Sequence, residues 1–413
     1  MSKKVVLIIG TADTKADELV FLQSSVREAG AEAVIMDVGI LSVPSFTPDY
    51  TKHDVAAAIG TTNEAIIALG TENLAMTKQA EGAASLARSL AESSKIDGMV
   101  AIGGTMGTDL ALDVAAALPL GFPKLIASTV AFSPLLSPDR ISADVMMILW
   151  SGGLYGLNPL CRSILSQAAH AVVGACRFRA EASVSRPLIG ISSLGASSLK
   201  YMVTLKPELE RRGYDVAVFH TTGLGGRAME SMLEKGELAA VMDFSLVEVS
   251  NHHLGSVVSA GSNRLEEAGR RGVPQIVAPG GVTLVDFQSW SVPEKLTDRE
   301  VYAHNRLISC AILTTEEKTA VAETIAHKLN GATGPTALIM PQQGLDEWDR
   351  KGGPFHDPDG LAAFSNALAA ALASNVEYHP IEHHINDAAF VAEALQIFDR
   401  WTATGLIPEA RSS

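Results

Sequence analysis

The stretch Gly103-Gly104-Thr105-Met106-Gly107-Thr108-Asp109 has the residue types of a phosphate cradle. It lies between a short apolar run, 97–102, and an Ala- and Leu-rich helical pattern, 110–118. Paired glycines that end a strand and open a helix leave backbone N–H groups facing outward, with a helix dipole behind them. Thr105 and Thr108 add hydroxyl donors, and Gly103, Gly104 and Gly107 let a ligand approach the backbone. The spacing is neither the dinucleotide fingerprint nor the Walker pattern, and a tight strand-to-helix turn without a ligand explains it equally well. A second loop of this kind, Gly10-Thr11-Ala12-Asp13-Thr14-Lys15, follows the apolar run 5–9 and brings one cation, Lys15. Asp13 and Asp109 are candidate Mg²⁺ partners. Asp13 or Thr14 also suits a plain helix cap. Ser128-Thr129, ending the run 123–127, completes this set.

The second loud stretch is His220-Thr221-Thr222-Gly223-Leu224-Gly225-Gly226-Arg227-Ala228-Met229-Glu230. Three glycines and two threonines ahead of an arginine suit a phosphate or carboxylate, with Arg227 as a bidentate clamp. His220 offers an acid or base, and Glu230 a second one. The competing reading is a connection in which Arg227 pairs with Glu230. Further histidines stand at 252, 253, 356, 379, 383 and 384, near Glu248, Asp357 and Asp387. Such density invites a metal reading, but no HExxH pattern is present, and Asn386 or Asp387 suits a helix cap. A structural role is the reading adopted for them.

These loops need strands to carry them. Runs at 5–9, 33–38, 97–102, 123–127 and 144–149 read as strands, with helices at about 54–68, 73–94 and 159–175 between or after them. After Pro187 the alternation restarts, with strands at 188–191, 215–220, 239–244, 274–278, 301–305 and 336–340. The expectation is an α/β protein. It comprises two Rossmann-like, doubly wound domains, 1–180 and 188–405, with mainly parallel sheets facing a cleft. Residues 177–187 form the expected linker. Ligands in such sheets sit at the carboxyl ends of the strands, where all these loops fall.

At 413 residues, 47% of them hydrophobic and 19% charged, the chain has material for two cores. Its net charge of −14 speaks against coating nucleic acid. Three widely spaced cysteines fit buried thiols better than disulfides. No apolar run approaches membrane-spanning length, and the N-terminus does not read as a signal peptide, so a cytoplasmic protein is expected.

The segments GTADTK, GGTMGT, VFHTTGLGGRAME, SAGSNRLEEAGRRGVPQIVAPGG, GGPFHDP and HHIND occur in this order. Together they resemble the Tm-one-like ATP-binding family. This family comprises uncharacterised bacterial and fungal proteins whose domain also forms the N-terminal part of the tomato mosaic virus resistance protein. The resemblance spans nearly the whole chain. It implies ATP binding, two Rossmann-like subdomains and a homodimer. In the plant protein a TIM-barrel domain follows, which implies a separately encoded barrel partner for this chain. His304-Asn305-Arg306-Leu307 departs from the family's Asn-Pro-Asn run. The leading expectation is a nucleotide-binding protein, using ATP with Mg²⁺ and serving a small-molecule enzyme. The alternatives are an enzyme acting through His220, Arg227 and Glu230 on a small phosphorylated or carboxylated metabolite, and a dimeric scaffold stabilised by nucleotide.

Overall fold

The computed structural model describes residues 3–178 and 186–410. It divides into two units, Met1–Ala182 and Ser183–Ser413. Most of the expected linker lies outside the described residues. Its first residue, Arg177, ends a helix instead.

In the first unit the order is β1 (Val5–Gly10), α1 (Ala16–Glu28), β2 (Glu32–Asp37), α2 (Lys52–Ala57), α3 (Asn63–Ile67), α4 (Glu72–Glu92), β3 (Gly98–Gly103), α5 (Thr105–Ala117), β4 (Lys124–Ser128), β5 (Met146–Leu149) and α6 (Pro159–Arg177). The helix expected over 54–68 is two short ones. Gly60 takes a positive φ of 69°, and Thr62 then caps α3 by accepting the Ala65 N–H. The five strands are all parallel, in the order β2-β1-β3-β4-β5. Alternate residues of β1 explain the layering. Val6 and Ile8 pack with Leu19, Leu22 and Leu165 on one face, while Leu7 and Ile9 pack with Ala83, Leu110 and Val114 on the other. A sheet buried on both faces is what a continuous Val/Ile run specifies.

The second unit runs β6 (Leu188–Ser193), α7 (Gly195–Arg211), β7 (Asp215–His220), α8 (Leu224–Glu234), β8 (Ala240–Asp243), α9 (Val247–His253), α10 (Glu267–Arg271), β9 (Gln275–Val277), β10 (Leu284–Gln288), β11 (Tyr302–Ala303), β12 (Ile308–Ile312), α11 (Thr315–Asn330), β13 (Thr336–Pro341), α12 (Pro358–Ala371), β14 (Val376–Ile381) and α13 (Ala388–Ala403). Its main sheet is parallel, in the order β14-β13-β9-β8-β6-β7. The expected six strands are corrected at one place. The 301–305 run contributes only β11, which belongs to a separate antiparallel sheet β10-β12-β11, and the sixth strand is β14.

Both main sheets therefore start identically. The first strand is flanked by the second on one side and the third on the other. That arrangement reverses the winding direction beside the first strand, and the crevice outside this point is where doubly wound sheets take ligands. No described helix is long and apolar enough to cross a membrane.

Candidate functional site

In the first unit the reversal lies between β1 and β3, and a pocket of about 230 Å³ opens there. Thr11, Asp13, Thr14 and Lys15 line it from the loop after β1, and Gly103, Gly104, Thr105, Met106 and Gly107 from the loop after β3. The register Gly10↔Asp37 and Gly103↔Ser128 brings these strand ends to one edge. Ile40, Leu41, Met76 and Glu72 complete the wall.

The Gly103 loop differs in its two glycines. A Cβ on Gly103 would lie 2.5 Å from the Gly107 carbonyl carbon, so the fold itself demands glycine there. A Cβ on Gly104 would meet nothing nearer than Thr129 Oγ1 at 3.8 Å. That glycine is free of any packing demand and leaves the backbone open. Helix α5 begins at this point with no side-chain cap and no acidic residue in its first turn. The first internal bond is Thr108 N–H to Gly104 O, 2.9 Å. The amides ahead of it are those a helix cannot satisfy internally.

The Gly10 loop is held by Asp37 at the end of β2. One of its carboxylate oxygens accepts Ala12 N–H at 2.9 Å and Gly39 N–H at 2.8 Å. Burial pushes the Asp37 carboxyl above its usual range, and the two N–H bonds pull the other way. Asp13 does not cap α1, contrary to one expectation. Lys15 is the N-cap residue, no side chain caps the helix, and Asp13 Oδ2 accepts the Leu41 N–H at 2.9 Å. Asp13 Oδ1 is buried with no hydrogen-bond partner among the described residues. Thr14 pairs with Thr11 at 2.7 Å. Lys15 Nζ donates to Leu154 O at 2.9 Å, with no carboxylate in ion-pair range among the described residues.

Four expected contributors stand back from the pocket. Gly10 packs on Leu19. Thr108 and Ser128 are buried with their hydroxyls 2.7 Å apart, bracing β4 against α5. Thr129 flanks Gly104 without lining the pocket. Asp109, the other candidate Mg²⁺ partner, is corrected: it pairs with Arg140 at 2.8 Å outside the pocket.

The His220 loop has a different content. Its expected anion is supplied internally. Glu248, fully buried on α9, accepts the Gly223 N–H at 2.6 Å and the Gly226 N–H at 3.1 Å through one oxygen. Its other oxygen accepts Arg264 Nε at 2.8 Å. Arg264, 1% exposed, also forks onto Asp243 and reaches Glu230 Oε1 at 3.3 Å. Glu230 accepts Leu265 and Glu267 N–H groups as well. Burial pushes Glu230 and Glu248 upward in pKa, and Arg264 opposes that shift for both. The glycines follow from this packing. A Cβ on Gly226 would fall 1.7 Å from Glu248 Oε2, and one on Gly225 1.8 Å from His220 O.

The grouping of His220, Arg227 and Glu230 is therefore corrected. Glu230 belongs to the Arg264 network, and Arg227 Nη1 donates to Asn263 Oδ1 at 3.1 Å. His220 lines another pocket, about 110 Å³ in volume. Arg227 does not pair with Glu230 either, since Arg264 occupies that carboxylate. Sequence reasoning placed Glu248 only beside His252 and His253, and missed Asp37, Arg264 and Asp286. An aspartate inside the apolar run Val282–Phe287 was the one available signal for the last.

Among the remaining histidines, His384 is buried. Its Nδ1 accepts Asn386 N–H at 3.0 Å, so Nε2 carries the proton, shared between Asp346 O at 2.8 Å and Asp349 Oδ1 at 3.1 Å. Asp387 occupies the N-cap position of α13, but its carboxylate accepts the His384 N–H instead of capping. His379 pairs with Glu393 at 2.8 Å. No group of three or more metal-ligating side chains is present among the described residues.

Two family models cover nearly the whole chain: the uncharacterised protein family (UPF0261) N-terminal domain at residues 4–181 and its C-terminal domain at residues 186–402. A UPF0261 protein of Brucella melitensis is 52% identical over 403 residues, 97% of this chain and 96% of its own. One from Clostridium tetani is 35% identical over 393 residues, 94% of this chain and 96% of its own. The ToMV resistance protein Tm-1(GCR237) of Solanum lycopersicum is 28% identical over 417 residues, 95% of this chain but 55% of its own length. Among solved structures, the S. aureus MnaA–UDP co-structure is 11% identical, covers 67% of this chain and 79% of its own, and has a TM-score of 0.20. The strand order, not that remote likeness, defines the fold.

Proposed function

The chain belongs to the uncharacterised protein family UPF0261, and for this member we propose that the first unit binds a nucleotide, ATP with Mg²⁺, in the pocket between the Gly10 and Gly103 loops. The observation that carries the proposal is the start of α5: an uncapped, acid-free helix end behind Gly104, aimed into the crevice of a doubly wound sheet. Phosphates take the α5 amides. Lys15, held by one carbonyl, adds the charge that a phosphate chain needs. Asp13 fits a magnesium ion, since its buried Oδ1 has no partner among the described residues, and Mg²⁺ characteristically binds through one or two carboxylates plus phosphates. Mg²⁺ in that place would neutralise phosphate charge. Ile40, Leu41 and Met76 offer an apolar wall for the base. The 230 Å³ volume is below the ~300 Å³ at which small-molecule pockets usually begin, so the nucleotide is enclosed only in part.

The proposal extends to a small-molecule metabolic enzyme as partner. Its support is that the tomato relative carries further chain besides the matched 55% of its length. A thermal-shift series tests the binding step. ATP with Mg²⁺ at a hundred times its Kd adds about 2.7 kcal/mol to stability, and AMP adds less at equal concentration. Absence of any shift with nucleotides at millimolar concentration overturns the proposal.

A further inference from the structure

In the second unit the antiparallel sheet encloses a pocket with the carboxyl ends of β6 and β7. Asp286 on β10 and Cys310 on β12 are directly paired across strands, and both line it. Asp286 is 9% exposed. Asn251 Nδ2 approaches its Oδ2 at 3.4 Å, while Oδ1 accepts no hydrogen bond among the described residues. Among the described residues the lining includes no lysine or arginine. Burial pushes the Asp286 carboxyl above its usual range, and Asn251, His304 and His220 pull it back. A buried carboxylate without a fixed cation is costly, and it is relieved by a ligand that brings the missing charge.

The remaining lining narrows the ligand. Leu194, Leu284 and Ile308 are apolar, and the Trp348 indole stands beside His304, ring centroids 5.5 Å apart. Aromatic and carboxylate groups together recognise organic ammonium ions. Cys310 is no nucleophile here, because burial first, then Asp286 and Asp346, push its thiol up to about 12. His220 Nδ1 faces the Gly195 N–H at 3.3 Å. The nearby Ser193 carbonyl already accepts the Thr221 N–H and hydroxyl, which leaves Gly195 as the better partner for that nitrogen. We infer that this pocket binds a small organic ammonium compound, with Asp286 as its counter-ion and Leu284, Ile308 and Trp348 around its apolar part.

Every described residue that lines this pocket belongs to the second unit, so its occupancy is tested without a nucleotide. Its test is calorimetric titration of the full chain with n-butylammonium, 1-butanol and butyrate at about pH 8. The expected result is binding of n-butylammonium at least about tenfold tighter than 1-butanol, with no binding of butyrate. Asp286→Asn, which keeps a side chain able to bond Asn251, removes that preference. Should this variant fail to fold, Ile308→Lys against Ile308→Met decides. The lysine supplies an internal ammonium and abolishes binding, whereas the methionine of similar length retains it. Equal or better binding of 1-butanol or butyrate, no binding of n-butylammonium at millimolar concentration, or unchanged preference in Asp286→Asn overturns the inference. So does retained binding in Ile308→Lys.

Discussion

The loops at 103–107 and 220–227 begin alike and end up as opposites. Each leaves a parallel strand, contains glycine and threonine, and opens a helix. At α5 the helix end has no cap, no acid in its first turn, and a glycine with open space beside it. At α8 the amides of Gly223 and Gly226 are already taken by Glu248, and Gly225 and Gly226 are there because nothing larger fits. Glycine content therefore does not separate a ligand loop from a packed one. What separates them is whether the chain supplies its own anion.

The contrast can be broken most forcefully at Glu248. Glu248→Ala leaves Arg264 with one partner fewer and two buried N–H groups unmet, at a cost of roughly 3–5 kcal/mol in urea unfolding. A loss below about 1 kcal/mol, the scale of an exposed pair, would mean that the loop does not depend on its internal anion. Next in size is the glycine pair. Gly225→Ala forces a Cβ into the His220 carbonyl and destabilises by about 1–3 kcal/mol. Gly104→Val leaves the melting temperature nearly unchanged while abolishing nucleotide binding in a dye-based assay. A folded Gly104→Val protein that still binds ATP reduces the 103–107 loop to a turn.

A pH experiment probes a buried acid, Asp346, that bonds only neutral donors, Thr283 and the Trp348 N–H, among the described residues. Burial first, then Asp349, push Asp346 up to about 7. A raised carboxyl pKa means stability fully present below the unfolded value, near 4, and lost as pH rises through the folded one. Replacing Asp346 with Asn keeps acceptors and donors for Thr283 and Trp348, and removes most of that decline between those two pH values. Melting curves at several pH values read it directly, and an unchanged slope contradicts it. The smallest effect is expected at Arg227. Arg227 is half-buried, bonded to Asn263 and outside the first unit's pocket, so Arg227→Ala costs about 1–2 kcal/mol at most and leaves nucleotide binding intact. A loss of ATP affinity in that variant would blur the distinction between the two loops.

The alternation of strand, loop and helix was legible because β1, β3 and β6 are apolar runs that can only be central strands. The order of the strands was not, since nothing local in a strand names its neighbours. The 301–305 run looked like a sixth strand from its composition, yet only Tyr302 and Ala303 pair, with Cys310 and Ser309. The true sixth strand, Val376–Ile381, holds Glu377, His379 and Pro380, which draw attention to chemistry rather than to pairing. Its position at the sheet edge tolerates the proline. In the first pocket the glycines, Asp13 and Lys15 were visible from type and spacing. Asp37 was not, because its role depends on reaching two amides across a strand pairing. The occupant of the second loop was hidden for a similar reason: Glu248 stands 22 residues beyond Gly226 and looks, in the sequence, like part of a histidine cluster.

Glu248 makes the 220–227 loop a receptor permanently tethered to its own ligand. The effective concentration of that carboxylate is set by the chain and does not change with the medium. Order in the 220–227 loop is thus constitutive, whereas any order gained at 103–107 from a bound anion scales with the supply of that anion. The amide protons of Gly223 and Gly226 are expected to exchange with solvent at a rate indifferent to added phosphate compounds, while those of Thr105, Met106 and Gly107 slow in their presence. One unit would then hold a fixed shape, and the other would register the composition of the surrounding solution.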